Sequence, residues 1–220
     1  MNDELGFLVV ADGMGGAAAG EVASRIFIET AGEALSRKRS SEEETAEAVR
    51  QAFHVAHERM LDWAKTHPEC RGMGCTAEAT AFFGRQYVIG HVGDSRTYLF
   101  RQGQLRQLTK DHSLVQQKLD EGLISEAEAR HYAFRNIILR AVGADERPAV
   151  DIAKGELRTG DCLLLCSDGL TDMVDDRAIQ DVLSRSLPIS RKVESLIDLA
   201  RSAGGYDNIT AVLAEAARVR

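Results

Sequence analysis

Aspartate recurs in this chain at the ends of short apolar runs, and that placement limits the folds open to it. Asp12 follows Leu8-Val9-Val10-Ala11, Asp94 follows Val88-Ile89-Gly90-His91-Val92-Gly93, and Asp168 follows Leu163-Leu164-Leu165-Cys166-Ser167. A fourth, Asp207, lies just ahead of the apolar stretch 209–213. The runs have strand length, and strand ends are stiff enough to hold acids at a shared edge with fixed geometry. One Asp-Gly pair on its own reads as a turn. Four carboxylates at four strand ends read as a site.

A length of 220 residues suits one domain, 1–220, with a packed core. The formal net charge of -7 repels phosphate backbones and anionic lipid, and no basic stripe interrupts it, so no nucleic-acid partner is expected. No apolar run reaches the ~20 residues of a membrane span, and Asn2-Asp3-Glu4 is acidic where a signal peptide would be basic. The expectation is a cytoplasmic monomer. Cys70, Cys75, Cys162 and Cys166 form no C-x-x-C pair and are expected as buried, reduced thiols.

Periodicity predicts a strand over 5–11 ending at Asp12-Gly13-Met14-Gly15-Gly16, then a helix from Ala17 to about Leu35. A second helix begins at Ser41, with Glu44 placed for a capping box; Val49, Phe53, Ala56, Met60 and Trp63 mark its core face, and Pro68 closes it. Residues 76–108 read as an antiparallel meander, and 114–130 as two short helices broken at Gly122. Strands at 150–157 and 162–167 flank a turn, 175–183 and 191–202 are helical, and 209–213 is a last strand. Hairpin-linked strands interrupted by helix pairs indicate an α+β fold, sheet on sheet with helices outside.

Carboxylates crowded without Lys or Arg repel, and a hard divalent cation with oxygen ligands neutralises them best. Mn2+ or Mg2+ suits such a set, whereas Zn2+ wants His and Cys. Two such ions held close lower the pKa of a shared water for in-line attack on a phosphoryl group. Gly15-Gly16 lacks the Gly-Lys-Ser/Thr ending of a P-loop, so nucleotide binding is set aside. His54 and His57, three apart on a helix, are expected in solvated or packed roles, and His112 fits either a structural hydrogen bond or chemistry. Asn208 is placed to orient Asp207 or to stabilise its turn.

Six segments in order, Val9 to Gly16, Gly74-Cys75-Thr76-Ala77, Val92-Gly93-Asp94-Ser95-Arg96, Leu108-Thr109-Lys110-Asp111-His112, Cys166-Ser167-Asp168-Gly169-Leu170 and Gly205-Tyr206-Asp207-Asn208-Ile209-Thr210, resemble the motifs of the metal-dependent (PPM, or 2C-type) protein serine/threonine phosphatases. The wording is similar to the bacterial branch, whose members commonly oppose Hanks-type Ser/Thr kinases. The resemblance implies an antiparallel β-sandwich flanked by helices and a binuclear manganese or magnesium centre. By motif, Asp12 would bridge both metals, the Gly13 carbonyl would bind one, and Asp168 and Asp207 would complete the other. Asp94 would help hold a third ion, and 113–140 would be a flap that tunes substrate choice.

Two departures accompany the resemblance. The family's R-x-x-N-E-D strand, whose Arg grips phosphate, would precede Met1, so the domain reads as N-terminally truncated. Met14 stands where animal relatives carry a His proposed as general acid, which leaves the catalytic acid unassigned. The expected activity is hydrolysis of phosphoserine and phosphothreonine in proteins. The rivals are a catalytically impaired module that docks a kinase or phosphoprotein, and a hydrolase of small phosphoesters.

Overall fold

The computed structural model describes residues 6–129, 132–144 and 148–217. Two four-stranded antiparallel sheets face each other, one ordered β1-β2-β3-β6 and the other β5-β4-β7-β8. The first holds β1 (Phe7–Met14), β2 (Gly74–Phe83), β3 (Gln86–Val92) and β6 (Asp151–Glu156). The second holds β4 (Arg96–Arg101), β5 (Gln104–Gln107), β7 (Cys162–Cys166) and β8 (Ala211–Glu215). Helices α1 (Ala17–Leu35) and α2 (Glu42–Thr66) cover the first sheet; α5 (Asp168–Thr171), α6 (Asp176–Ser184) and α7 (Ile189–Ser202) cover the second. Short α3 (Leu114–Asp120) and α4 (Glu126–Ala129) lie between β5 and β6. The α+β sandwich expectation holds.

Strand alternation sorts side chains between the layers. On β1, Phe7, Val9 and Ala11 pack toward α1 and α2, while Leu8 and Val10 meet Leu165 of the other sheet. Asp12 has the parity of Leu8 and Val10, which sends its carboxyl toward the second sheet. On β7, Cys162, Leu164 and Cys166 face α6 and α7, and Leu163 joins Tyr87, Ile89 and Leu99 between the sheets. All four cysteines are buried free thiols.

Several boundaries differ from expectation, each through long-range pairing. β1 does not stop at Ala11: its ladder with β2 continues through Asp12↔Thr76, Gly13↔Cys75 and Met14↔Gly74. Leu5 lies outside the described residues. The stretch 76–108 is two hairpins in different sheets rather than one meander, because the chain crosses between sheets at Gly93-Asp94-Ser95. Gly93 has φ +111°, and a Cβ there would lie 2.4 Å from the Thr76 side chain, so the β2–β3 ladder ends. β6 and β7 likewise belong to opposite sheets. The last strand starts two residues later than predicted, since 208–210 is held by Ser167 instead of a ladder: Ser167 Oγ donates to the Asn208 carbonyl (3.1 Å) and accepts from Thr210 N–H (3.1 Å).

Caps explain the helix starts. Ser41 Oγ accepts from Glu44 N–H, but the Glu44 carboxylate returns to Ser40 and not to Ser41, a capping box offset by one residue. Ser125 and Glu128 form a reciprocal pair at the start of α4, and Asp175 caps α6. Trp63 is not core as predicted. It is 36% exposed and stacks on His67 at 4.1 Å, because α2 outruns the sheet by its last turn. His54 is exposed, while His57 is buried and its Nδ1 accepts from Gly143 N–H.

Candidate metal centre

Antiparallel pairing brings the C-terminal ends of β1, β3 and β7 and the N-terminal ends of β4 and β8 to one edge of the sandwich. Each segment carries an acid there. Asp12 is the third-last residue of β1, Asp94 sits in the β3–β4 crossing, Asp168 opens α5 directly after β7, and Asp207 precedes β8. Asp168 therefore belongs to a helix turn, not to a strand end, with Ser167 at the N-cap position.

Close backbone approach shapes the Asp12 corner. A Cβ on Gly13 would stand 2.0 Å from the Gly20 carbonyl oxygen of α1, so only glycine lets the strand end lie against the helix. Asp207 is exposed, and its Oδ1 accepts from Asn208 N–H at 2.7 Å. Asn208 thus orients Asp207 through its backbone.

The acids interact as one charge cluster. Burial pushes Asp168 up to about 8, reinforced by Asp94, Asp12, Asp172 and Asp207. Burial also raises Asp94 to about 7, with Asp111 the next contributor and Asp12 and Asp172 behind it. Asp12 is raised by burial as well, although its hydrogen-bonding contact with the Asp168 carboxyl works against the shift. Among the described residues, no three His, Cys, Asp or Glu side chains close into a ready-made ligand cage. The carboxyls stand within charge-interaction range of one another, which adds to the effect of burial in raising their pKa values.

The cluster borders a cleft of about 880 Å³ lined by Asp94, Arg96, Asp168, Asp172 and, from the 113–140 excursion, Ser113 and Arg135. Two of the arginines lining the cleft are already paired with acids. Arg96 grips Asp111 bidentately (Nε–Oδ1 2.9 Å, Nη2–Oδ2 2.7 Å), and Arg135 lies 3.6 Å from Asp172. Asp168 Oδ1 is buried with no hydrogen-bond partner. An ionisable oxygen in that state, facing further acids, fits a hard divalent cation, and the all-oxygen donors exclude a thiophilic site.

Sequence reasoning missed Asp172 and Arg135. Asp172 lies one helical turn beyond Asp168, a spacing that could have flagged it. Nothing local marks Arg135, since its position depends on how the excursion folds back.

Comparison with known proteins gives concordant results. A family model described as protein phosphatase 2C matches residues 2–203. The serine/threonine phosphatase stp of Listeria welshimeri is 39% identical over 215 residues, spanning 97% of this chain and 85% of that protein. The crystal structure of the Mycobacterium tuberculosis serine/threonine phosphatase PstP/Ppp superposes with a TM-score of 0.91 at 37% identity, covering 96% of this chain and 88% of that one. A structure of the PstP catalytic domain in complex with 2 manganese ions superposes with a TM-score of 0.87 at 37% identity, covering 96% and 88%.

Proposed function

The chain belongs to the protein phosphatase 2C family, and on that premise we propose that it hydrolyses phosphoserine and phosphothreonine in proteins at a divalent metal centre on the acidic edge. Asp12, the Gly13 carbonyl, Asp168 and Asp207 hold two Mn2+ or Mg2+ ions in this reading, and Asp94 helps to hold a third. The buried, partnerless Asp168 Oδ1 carries the proposal. When bound, the ions supply Lewis-acid activation of water and neutralise phosphoryl charge.

The chain's own residues do the positioning. The β1 ladder with β2 and the Gly13–Gly20 contact fix Asp12. Ser167 ties the Asp168 turn to the Asp207 segment through Asn208 and Thr210. These ties couple ligands far apart in sequence, which keeps reorganisation small. The relatives' names as phosphatases favour catalysis over the non-catalytic docking alternative. Its substrates are phosphoproteins, and we assign it as the cytoplasmic, monomeric counterpart of a Hanks-type kinase; among the described residues, no helix is long and apolar enough to cross a membrane.

The test is hydrolysis of a phosphothreonine peptide with and without Mn2+. Activity should require the metal, vanish on chelation and be abolished in Asp168→Ala. Activity that survives both treatments overturns the mechanism.

A further inference from the structure

His112 stands apart from the acids yet controls the residue beside one of them. Its Nδ1 accepts from Gly93 N–H at 3.1 Å, and its own N–H donates to the Gly93 carbonyl at 2.7 Å. One residue thus holds both polar backbone groups of the glycine that precedes Asp94. Thr76 closes the other side, its hydroxyl paired with Ser95 Oγ at 2.7 Å and its side chain filling the space a Gly93 Cβ would need. The ring is fixed in turn. With Nδ1 an acceptor, the proton resides on Nε2 and is donated to Asp151 Oδ2 at 3.1 Å. Asp151 Oδ1 takes Arg140 Nη1 at 3.2 Å, and the His112 carbonyl accepts from Leu139 N–H at 2.7 Å, so the far limb of the 113–140 excursion closes on the same residue. Beneath lies His91, ring centroids 4.5 Å apart, itself held by Glu78 and by the Lys110 carbonyl. His112 is 8% exposed.

We propose that His112 is a positioning residue for Asp94: through Nδ1 it sets the Gly93 peptide, and through Nε2 it ties that peptide to Asp151 and Arg140. The inference rests on reading Asp94 as a cation ligand. A ligand whose supporting shell is removed loses affinity by about 10–100-fold. The imidazole here has two distinct jobs, which substitutions can separate. Asn places an acceptor near Nδ1 without reaching Asp151; Gln reaches toward Asp151 but offers nothing to Gly93.

The experiment measures two quantities in wild type, His112→Ala, His112→Asn, His112→Gln and Asp94→Asn: hydrogen exchange of the Gly93 amide by NMR, and Mn2+ uptake by calorimetry. Melting temperature checks that each variant folds. His112→Ala and His112→Gln should speed Gly93 exchange and weaken, by about 10–100-fold, the Mn2+ uptake that Asp94→Asn also weakens. His112→Asn, which keeps the Nδ1 acceptor and loses the Asp151 tie, should be less impaired than His112→Ala in both. Adding His112→Ala to Asp94→Asn should cost no further affinity, because both act on one ligand. Wild-type exchange and uptake in His112→Ala, or an Asn variant as impaired as Ala, overturns the positioning role alone. A wild-type protein that takes up no Mn2+ overturns the metal-centre reading and this inference with it.

Discussion

Gly13 and Gly20 meet backbone to backbone where β1 ends against α1, and each leaves the space in which the other's Cβ would stand: 2.0 Å from Gly13 to the Gly20 carbonyl oxygen, 2.7 Å from Gly20 to that of Gly13. The contact brings the Asp12 corner of the acidic edge close under the first helix. Replacing Gly13 by Ala forces strand and helix apart and should destabilise the fold by about 1–3 kcal/mol. Gly32 is the control. It lies in the same helix with open space where a Cβ would go, so Gly32→Ala should stabilise by roughly 0.5–1 kcal/mol. Thermal melts of the two variants should move in opposite directions.

Asp168 Oδ1 is buried and unpartnered among other acids. Substituting Asn removes the charge while keeping the shape. In chelator, Asp168→Asn should melt at or above wild type. On adding Mn2+, wild type should gain about 2.7 kcal/mol when the ion is at 100 times its Kd, roughly 5–10 °C for a domain of this size, and the variant should gain little. A variant that responds to Mn2+ like wild type removes Asp168 from the ligand set.

Asp161, its side chain 3% exposed, receives Arg101 Nε at 3.0 Å, Arg101 Nη2 at 2.6 Å and Arg158 N–H at 2.6 Å. Burial alone would raise its pKa, but these donors outweigh burial and hold it below the ordinary 3.8. A depressed carboxylate contributes stability that is present above the unfolded value and lost as pH falls through the folded one. Arg101→Met should therefore cost about 2 kcal/mol near neutrality, and urea melts should show the gap to wild type closing below pH ~3. A gap that is constant from pH 7 to 2 assigns the loss to packing.

The four thiols lie at 5% exposure or less, and burial pushes Cys75, Cys162 and Cys166 upward. A water-soluble disulfide reagent should find no fast-reacting thiol in the native protein and four after denaturation. One rapid equivalent in the native state would identify a packing fault near that cysteine.

Glu78 on β2 and His91 on β3 pair between the sheets, with Thr97 Oγ1 of β4 donating to the same carboxylate at 2.5 Å. Burial raises Glu78, and the carboxylate in turn raises His91 against the burial that lowers it. Both shifts favour retention of a proton by the pair. Glu78→Ala leaves His91 Nδ1 without its carboxylate partner inside the sandwich and should cost about 3–5 kcal/mol, readable as a lower urea midpoint with an unchanged slope.

Local sequence determined the element types and the identity of the acids. Apolar runs became strands, Ser41, Ser125 and Asp175 capped helices, and Asp12, Asp94, Asp168 and Asp207 each lay within or next to the end of a strand, because side-chain alternation and capping are short-range effects. Tertiary structure decided which ends meet. Pairing with β2 carried β1 past Ala11, the crowded Gly93 turn sent β4 into the opposite sheet, and packing placed Arg135 beside Asp172 and His112 against Gly93, partners they do not neighbour in the chain. Trp63 failed as a core residue for the same reason: helical spacing defines a face, whereas burial depends on whether the sheet extends beneath it. Contacts between residues a hundred positions apart are set by packing summed over the whole sandwich, and no local pattern encodes that sum.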